Sequence, residues 1–461
     1  MDTNTTSAKT KAQLDQELIY QLEGKPRLRT ALPLGMQHVL AMFASNLAPI
    51  MIIAGACGLV GADMVIMMQC AMFVSGLTTF VQLYPIKLGK KFQIGANLPI
   101  VMGTSFTFVP TATTVAAAGG IGAVLGASLV GSFVEVIMGF FYKYIRRFFP
   151  PLVVGSTLVT IGVNLMSAGV GYFAGGAGSP DYGSPLNLSI AFGVLALVVV
   201  LQRFGKGLVK SSAILIGLVA GYIVCLPLGL VDTSSIAEAA WFSLPLPLQF
   251  DLTFSAPAIL SFAAIYVTSG LETIGNTGGI TIAGFDRDAT EKETSGAILA
   301  DALGSTTAAL FNALPNTAFG QNAGIVSMTK VVNKWCIAVG AFVLMICGFC
   351  PKLGAIFSTI PAPVLGGSII TVFSMILLNG IKMISRAGFS ERNILVMGVT
   401  FALGLGLAAD QAAVAHLPAI LRFIFSDSVA ATCIVAIIMN VLCPMKDKED
   451  IEKAKQAMID C

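Results

Sequence analysis

The chain has 461 residues, of which 56% are hydrophobic and only 11% are charged, and its mean hydropathy is +0.85. Soluble domains carry about 25% charged residues, so this composition excludes an ordinary soluble domain and predicts a membrane protein with many spanning segments. The net charge of +3 is too small to indicate a nucleic-acid partner.

The N-terminal region, 1–31, is polar and has no apolar stretch of the kind found in signal peptides. It is therefore predicted to be a cytoplasmic tail. The nine cysteines fall mostly within apolar runs, and the close pair Cys347 and Cys350 has no second pair at zinc spacing. We interpret the cysteines as small buried hydrophobic residues, and we predict neither a metal nor a cofactor.

The apolar segments define the predicted architecture, because a bilayer core of about 30 Å needs ~20 apolar residues per helix. Segments three and ten are interrupted by glycine, proline and polar residues, so broken elements are predicted there. The sequence thus predicts an all-α protein with fourteen membrane segments. They lie at 32–56, 62–84, 97–116, 120–142, 150–174, 187–202, 211–230, 256–284, 294–313, 318–331, 335–350, 360–381, 393–409 and 414–444.

Lysine and arginine residues are concentrated in alternate loops, which indicates the orientation of the chain. With the N-terminus inside, almost all of them fall on the cytoplasmic side, including Lys210, Lys382 and Arg386. Only Lys352 and Arg422 fall outside. The pattern predicts a protein of the cytoplasmic membrane in which both tails, 1–31 and 446–461, are cytoplasmic.

Two motifs occur twice. PLVVGSTLVTIGVNLM, from Pro151, aligns without gaps with PVLGGSIITVFSMILL, from Pro363, and LPIVMGTSF, from Leu98, weakly matches LPNTAFGQN, from Leu314. Each pair is seven segments apart, and an odd number of crossings inverts the second copy in the membrane. Inverted repeats with interrupted segments in matching positions are typical of transporters that bind substrate at the bilayer midplane.

The first inverted repeat is predicted to comprise residues 32–232 and the second residues 233–445. The polar residues of segment ten would face a binding cavity rather than lipid.

Acidic residues inside membrane segments are costly and indicate function. Glu272 lies in TSGLETIGNTGG, where Asn276 follows one helical turn later, and this polar face is predicted to be functional. Asp301, in ADALGS, could bind a coupling proton or cap a neighbouring helix. Glu135, in SFVEVIMGFF, has no polar neighbours on its helix and is interpreted as structural. His38, in GMQHVLAMF, could be either a core residue or a functional one.

Segments three and ten supply groups suited to a planar ligand. Phe106 could stack on a ring, and the Ser105 hydroxyl could donate or accept a hydrogen bond. The Gln321 amide has an acceptor and a donor, which match a cyclic edge that presents C=O beside N–H. Glu272 would accept a hydrogen bond from a second ligand N–H.

With these residues in view, the sequence resembles the nucleobase/ascorbate transporter family. The family signature, Gln or Glu followed by Asn, any residue, Gly, four residues and Thr, reads QNAGIVSMT from Gln321 to Thr329. The motifs MQHVLAMF, TSFTFV, LETIGN and ADALGS and the two Pro-Gly helices extend the resemblance over nearly the whole chain.

The resemblance implies two seven-helix halves that form a core (segments 1–4 and 8–11) and a gate (the other six), which dimerises. Substrate would sit between short antiparallel strands of segments three and ten. The resemblance assigns Glu272, Gln321, Phe106, Ser105, Gly320 and Phe319 to substrate binding, and His38, Asp301, Asn276, Asn322 and Thr329 to proton coupling or site geometry.

Glutamine at position 321 favours xanthine or urate, whereas glutamate there is associated with uracil. Some xanthine carriers have Asp at the position of Asn276 or Asn at that of Ser105, so the choice of purine stays open. The predicted partners are a purine, H+, membrane lipid and a second copy of the chain, without nucleic acid.

The predicted function is proton-coupled purine uptake by alternating access. The alternatives are a uracil or broader nucleobase symporter, or an anion exchanger of the same fold. A channel is disfavoured because the sequence shows no charge ring or carbonyl filter. An enzyme is disfavoured because it shows no nucleophile–base pair or metal cluster.

Overall fold

The structure is a computed structural model that describes residues 11–89, 91–145, 150–176 and 178–444. The predicted C-terminal tail, 446–461, and residues 1–10 of the predicted N-terminal tail lie outside the described residues.

The elements of the first half are, in chain order, α1 (Lys11–Leu18), α2 (Leu28–Ala56), α3 (Ala62–Leu83), β1 (Ile86–Leu88), β2 (Phe92–Ile94), β3 (Met102–Thr104), α4 (Val109–Gly131), α5 (Phe133–Ile145), α6 (Pro151–Phe173), α7 (Pro185–Phe204), α8 (Leu208–Ser211) and α9 (Ala213–Cys225).

Those of the second half are α10 (Ser234–Glu238), α11 (Ala256–Phe285), α12 (Glu291–Leu310), β4 (Asn316–Ala318), α13 (Gly320–Thr329), α14 (Lys334–Cys347), α15 (Pro351–Ser358), α16 (Ala362–Ala387), α17 (Glu391–Ala409), a 3-10 helix (Gln411–Val414), α18 (Ala419–Ser426) and α19 (Ser428–Leu442).

Eight helices within the described ranges are long and apolar enough to cross a membrane, or nine if α14 and α15, bent by 80°, form one span. This confirms a helical, multi-pass membrane protein, but it does not confirm fourteen spans. Some predicted segments correspond to helices that are too short to be counted as membrane spans, because α9, α13 and α19 have 13, 10 and 15 residues. Gly120, with φ of +66°, breaks the helical path where the sequence separates segments three and four.

The two copies of the Pro-Gly motif, in α6 and α16, pack against each other. Gly155 near the start of α6 faces the backbone of Gly380 near the end of α16, and Gly169 faces Phe373 further back along α16. The two helices therefore run in opposite directions. Their missing Cβ atoms permit close backbone approach.

The two interrupted segments also meet each other. Strand β3 pairs antiparallel with β4, with Gly103 opposite Thr317. The ladder continues at both ends, because the amide of Ser105 donates to the carbonyl of Pro315 and that of Phe319 to Val101, both at 2.9 Å. Short antiparallel strands are thus present in segments three and ten, as predicted.

The end of the N-terminal region packs against the junction between α13 and α14. The side-chain amide of Asn333 donates hydrogen bonds to the carbonyl oxygens of Leu18 and Gln21 at 3.0 and 3.1 Å. A hydrogen bond from the Arg27 guanidinium lowers the pKa of the Asp15 carboxyl below its usual range. This segment is therefore held on the protein, although composition alone predicts only a polar tail.

Eight of the nine cysteines are described, and all eight are free. Four are fully buried and four are half-buried. The interpretation as buried hydrophobic residues therefore fits half of them fully and the remainder in part; Cys461 lies outside the described residues.

Candidate functional site

A cavity of about 830 Å³ lies between α13, which belongs to interrupted segment ten, and the helices that face it. Its wall includes Glu272, Asn276, Gly320 and Gln321, which the sequence analysis selected. This volume is in the range of small-molecule sites, about 300–1,000 Å³.

Two of these side chains present complementary hydrogen-bonding groups. One carboxyl oxygen of Glu272 accepts a hydrogen bond from the Thr107 hydroxyl at 2.7 Å, which fixes the orientation of the carboxyl group. The Gln321 amide has no hydrogen-bond partner among the described residues, so its C=O and NH2 are available to a ligand. Together they provide a carboxylate acceptor and an amide acceptor–donor pair.

Asn276 connects helix α11 to the end of strand β4, since its amide donates to the Ala318 carbonyl at 2.8 Å. A Cβ atom at Gly320 would lie 2.9 Å from the Asn276 side-chain oxygen, so glycine permits this close approach. Gly320, the first residue of α13, is exposed and lines the cavity. The first turn of a helix lacks intrahelical acceptors and carries positive partial charge, so this end suits an electronegative ligand edge.

Helices α2 and α3 hold the strand pair in place. The amide of Thr104 donates to the Asn46 side-chain oxygen at 2.7 Å, and that of Met102 donates to the Thr79 hydroxyl at 2.9 Å. Asn316 is also bound from this side, because its side-chain oxygen accepts from Thr78 at 2.9 Å. The buried polar atoms thus replace water for backbone groups that a three-residue ladder leaves unpaired.

Asp301 is buried behind the strands rather than on the cavity wall. One of its oxygens accepts hydrogen bonds from the hydroxyls of Thr273 and Thr317, and the other accepts from the Gln82 amide at 3.3 Å. It therefore joins α12 to α11, α3 and β4, and its contacts are those of a residue that sets site geometry. These three hydrogen bonds come from side chains of α3, α11 and β4 and not from the end of a neighbouring helix, so they do not support the alternative of a helix cap.

His38 is also buried and contacts the family signature. The Nδ1 atom of His38 lies 2.9 Å from the side-chain amide nitrogen of Asn322, the residue that follows Gln321. Neither His38 nor Asn322 belongs to the cavity wall. This contact links α2 to the first turn of α13, so the two residues are placed to orient Gln321 rather than to touch ligand in this conformation.

The predicted aromatic residues do not line the cavity in this conformation. Phe106 is 6% exposed and packs edge-on against Phe373, with 5.4 Å between the two ring centroids. The ring of Phe319 packs against Gly103. The Ser105 hydroxyl accepts from the Thr107 amide at 3.2 Å, within its own turn.

Thr329 lies at the end of α13, where its hydroxyl donates to the Ile325 carbonyl at 2.8 Å. Of the eleven predicted site residues, four therefore reach the cavity wall and the others surround it or lie further away.

The expectation that the polar residues of segment ten face a cavity is only partly correct. Gln321 does so, whereas Asn316, Thr317 and Asn322 are almost fully buried and bonded to other side chains. The sequence analysis missed the partners Asn46, Ser75, Thr78, Thr79 and Gln82. Their signal was polar side chains within the apolar segments one and two, where each needs an internal partner.

Basic residues line another part of the same cavity. They are Lys210, Lys382 and Arg386, at the ends of helices α8 and α16, and Gln202 lies among them. The cavity thus combines the acid of α11 and the amide of α13 with cations elsewhere. Within the described residues no group of three or more His, Cys, Asp or Glu side chains could hold a metal ion.

A cavity walled by a broken segment and an acidic helix inside an apolar helical protein is typical of a membrane transporter. Comparison with known proteins agrees. Residues 29–413 match the permease family model Xan_ur_permease. The chain belongs to this family, the nucleobase/ascorbate transporter family, whose members are permeases and not enzymes.

Similar proteins include two from Bacillus subtilis. The uric acid permease PucK is 35% identical over 81% of this chain and 86% of its own length. The xanthine permease is 32% identical over 89% of this chain and 93% of its own length. Among solved structures, the transmembrane domain of the cyanobacterial bicarbonate transporter BicA aligns with a TM-score of 0.58 at 16% identity, over 89% of this chain and 98% of that one. This last likeness concerns the fold.

Proposed function

We propose that the protein takes up an oxidised purine, xanthine or urate, across the cytoplasmic membrane together with protons. The observation that carries the proposal is the placement of Glu272 and Gln321 on one cavity wall. Xanthine and urate both present ring N–H groups beside C=O groups. The Gln321 amide pairs with one such edge, and Glu272 accepts from a further N–H.

Transport would occur by alternating access between a core and a gate. The strand pair, α2–α5 and α11–α14 form the proposed core, and α6, α7, α9, α16, α17 and α19 form the gate. The antiparallel contact of α6 with α16 and the pairing of β3 with β4 support an inverted-repeat architecture of fourteen segments. The gate is also the proposed dimer surface.

The cavity is proposed to open toward the cytoplasm. Its basic residues Lys210, Lys382 and Arg386 belong to the groups that the charge pattern places inside. The conformation would then be one that releases substrate into the cell, with both tails on that side.

Anion exchange is the second candidate. The same three basic residues favour it, since an exchanger needs a cation near its anion, and the fold is similar to that of a bicarbonate transporter, BicA. A uracil or broader nucleobase symporter is the remaining alternative, and it would bind a different base at the cavity wall that carries Gln321 and Glu272.

Uptake of labelled xanthine, urate, uracil and bicarbonate into cells lacking their own carriers separates these candidates. We expect concentrative xanthine or urate uptake that a protonophore abolishes and that does not require sodium. Bicarbonate exchange without purine uptake would contradict the proposal, and so would sodium-dependent uptake that is insensitive to the protonophore.

A further inference from the structure

Glu135 is a buried acid that the site described above does not use. It lies in the first turn of α5, is 0% exposed, and neither of its carboxyl oxygens has a hydrogen-bond partner among the described residues. An ionised carboxylate in this position would lose its hydration without gaining an ion pair or hydrogen bond. That loss costs far more free energy than a single contact with a neighbouring side chain provides.

The surroundings of Glu135 make the charged form still less favourable. The ionisable groups that act on it electrostatically are the carboxyls of Asp301 and Glu272, and both are acidic. Tyr266, on α11, is a third neighbour, and its hydroxyl is already bonded to the side chain of Ser128 at 2.9 Å. No basic side chain in the described part of the chain acts on Glu135, and three neighbouring carboxyls cannot all be ionised in an apolar interior.

The helices around Glu135 are fitted closely to it. Gly270 of α11 faces the Glu135 side chain and Met138, because a Cβ there would lie 3.8 Å from Glu135 and 2.9 Å from Met138. The Ser295 hydroxyl of α12 donates to the Gly139 carbonyl of α5 at 2.6 Å. Glu135 therefore sits where α5 meets both α11, which carries Glu272, and α12, which carries Asp301.

One hydroxyl completes this arrangement. Ser269 of α11 lies beside Glu135, is 0% exposed, and its oxygen also has no hydrogen-bond partner among the described residues. The Ser269 hydroxyl can donate to the carboxyl group in either form, so it does not decide between them. The burial of Glu135 beside two other carboxyls decides in favour of the neutral form.

We propose that Glu135 is a proton-binding site of this transporter, separate from the acids of the substrate wall, and that it holds its proton in the conformation described. Burial and the nearby carboxyls of Asp301 and Glu272 keep the proton on Glu135. When a purine N–H bonds to Glu272, the negative charge of Glu272 is partly compensated and Glu135 releases its proton more readily. Coupling of this kind is reciprocal, so protonation of Glu135 also alters purine binding.

This inference rests on the proposed proton-coupled function, and two measurements on reconstituted protein test it. The first is infrared absorption by the C=O stretch of a protonated carboxylic acid, in wild type and in Glu135→Gln. The second compares labelled xanthine accumulation driven by a one-unit pH gradient with xanthine exchange in the absence of a gradient. Met138→Leu is the matched control, because it alters the same helix contact without a titratable group.

We expect the carboxylic-acid band to be smaller in Glu135→Gln, and the band to change when xanthine is added to wild type. Exchange should remain within about twofold of wild type, whereas gradient-driven accumulation should fall about tenfold, since one proton carries that factor per pH unit. Met138→Leu should retain both activities.

An unchanged band in Glu135→Gln would overturn the inference, and so would undiminished gradient-driven accumulation. Equal loss of exchange and accumulation would assign Glu135 a structural role and would overturn it too. If wild-type protein shows no gradient-driven accumulation, the proposed proton coupling is wrong. The infrared band then still decides whether Glu135 holds a proton.

Discussion

At the scale of single residues, Gln321 is the polar side chain of segment ten whose hydrogen-bonding groups are left open to a ligand. Substitution Gln321→Glu keeps its size but removes the donor and adds charge. A purine carbonyl would then face a carboxylate, and an unpaired buried partner costs about 1–3 kcal/mol. Apparent affinity for xanthine should fall at least about tenfold, which can be measured by competition against labelled substrate.

The matched control for this change is Gln202→Glu, because Gln202 lines the same cavity among its basic residues. It introduces the same charge without touching the proposed purine edge, so its affinity should stay close to wild type. A similar loss in both variants would show that charge in the cavity, rather than amide recognition, is responsible.

Glu272 is the second residue whose role can be isolated. In Glu272→Gln the amide oxygen still accepts from the Thr107 hydroxyl, so the NH2 group points to the ligand N–H in place of an acceptor. We expect active uptake to be almost abolished while the protein still reaches the membrane, measured by uptake at matched surface levels. Glu238→Gln, on the exposed helix α10, should have no effect. Wild-type uptake by Glu272→Gln would remove this acid from the site.

The sequence predicted the residues on the cavity wall better than those behind it. Glu272, Asn276 and Gln321 stood out because a family signature and polar spacing marked them. Asn46 and Thr79 did not, since one isolated polar residue in an apolar helix does not reveal its partner. The burial of Phe106 against Phe373 could not be predicted from the sequence either, because it depends on how two segments distant in the chain pack together.

At the scale of elements, the junction between β4 and α13 depends on a missing side chain. In Gly320→Ala the added methyl would displace the Asn276 side chain, which lies 2.9 Å from its position, and weaken the bond from Asn276 to the Ala318 carbonyl. The loss of one such bond is worth roughly 1 kcal/mol, so xanthine affinity should fall about fivefold in a competition assay.

Gly193→Ala, on α7 and away from the cavity wall, provides the control, because a Cβ there has no neighbour within 4 Å among the described atoms. It should bind xanthine as wild type does. Equal behaviour of the two alanine variants would show that the Asn276 contact does not position the site.

The sequence also predicted elements unevenly. The strands in segments three and ten were predicted because glycine and proline interrupt apolar runs there. The count of fourteen spans was not confirmed, since apolar length alone does not show whether short helices such as α9 and α13 cross a membrane. The contact between the N-terminal segment and Asn333 was missed, because a composition rich in polar residues carries no information about a distant capping amide.

At the scale of the whole molecule, the antiparallel contact of α6 and α16 joins the two halves of the chain. In Gly155→Ala the new methyl would lie 2.8 Å from the Gly380 carbonyl oxygen, and this backbone atom cannot rotate away. Overpacking of this kind costs about 1–3 kcal/mol, so the Tm of the purified protein should fall. Gly171→Ala, in the same helix with no atom within 4 Å of its Cβ among the described residues, should not lower it. Equal Tm values would mean that α6 and α16 can separate without cost.

The strand pair has a further consequence for how this protein can change over generations. Its ladder is made by backbone amides and carbonyls of residues 101–105 and 315–319, none of which lines the cavity. The residues proposed for recognition, Glu272 and Gln321, lie by contrast on the adjoining helices and line the cavity. Substitutions at a few positions can therefore change the transported substrate while the strand pair that positions these residues folds as before. A change of substrate then requires no change of the fold.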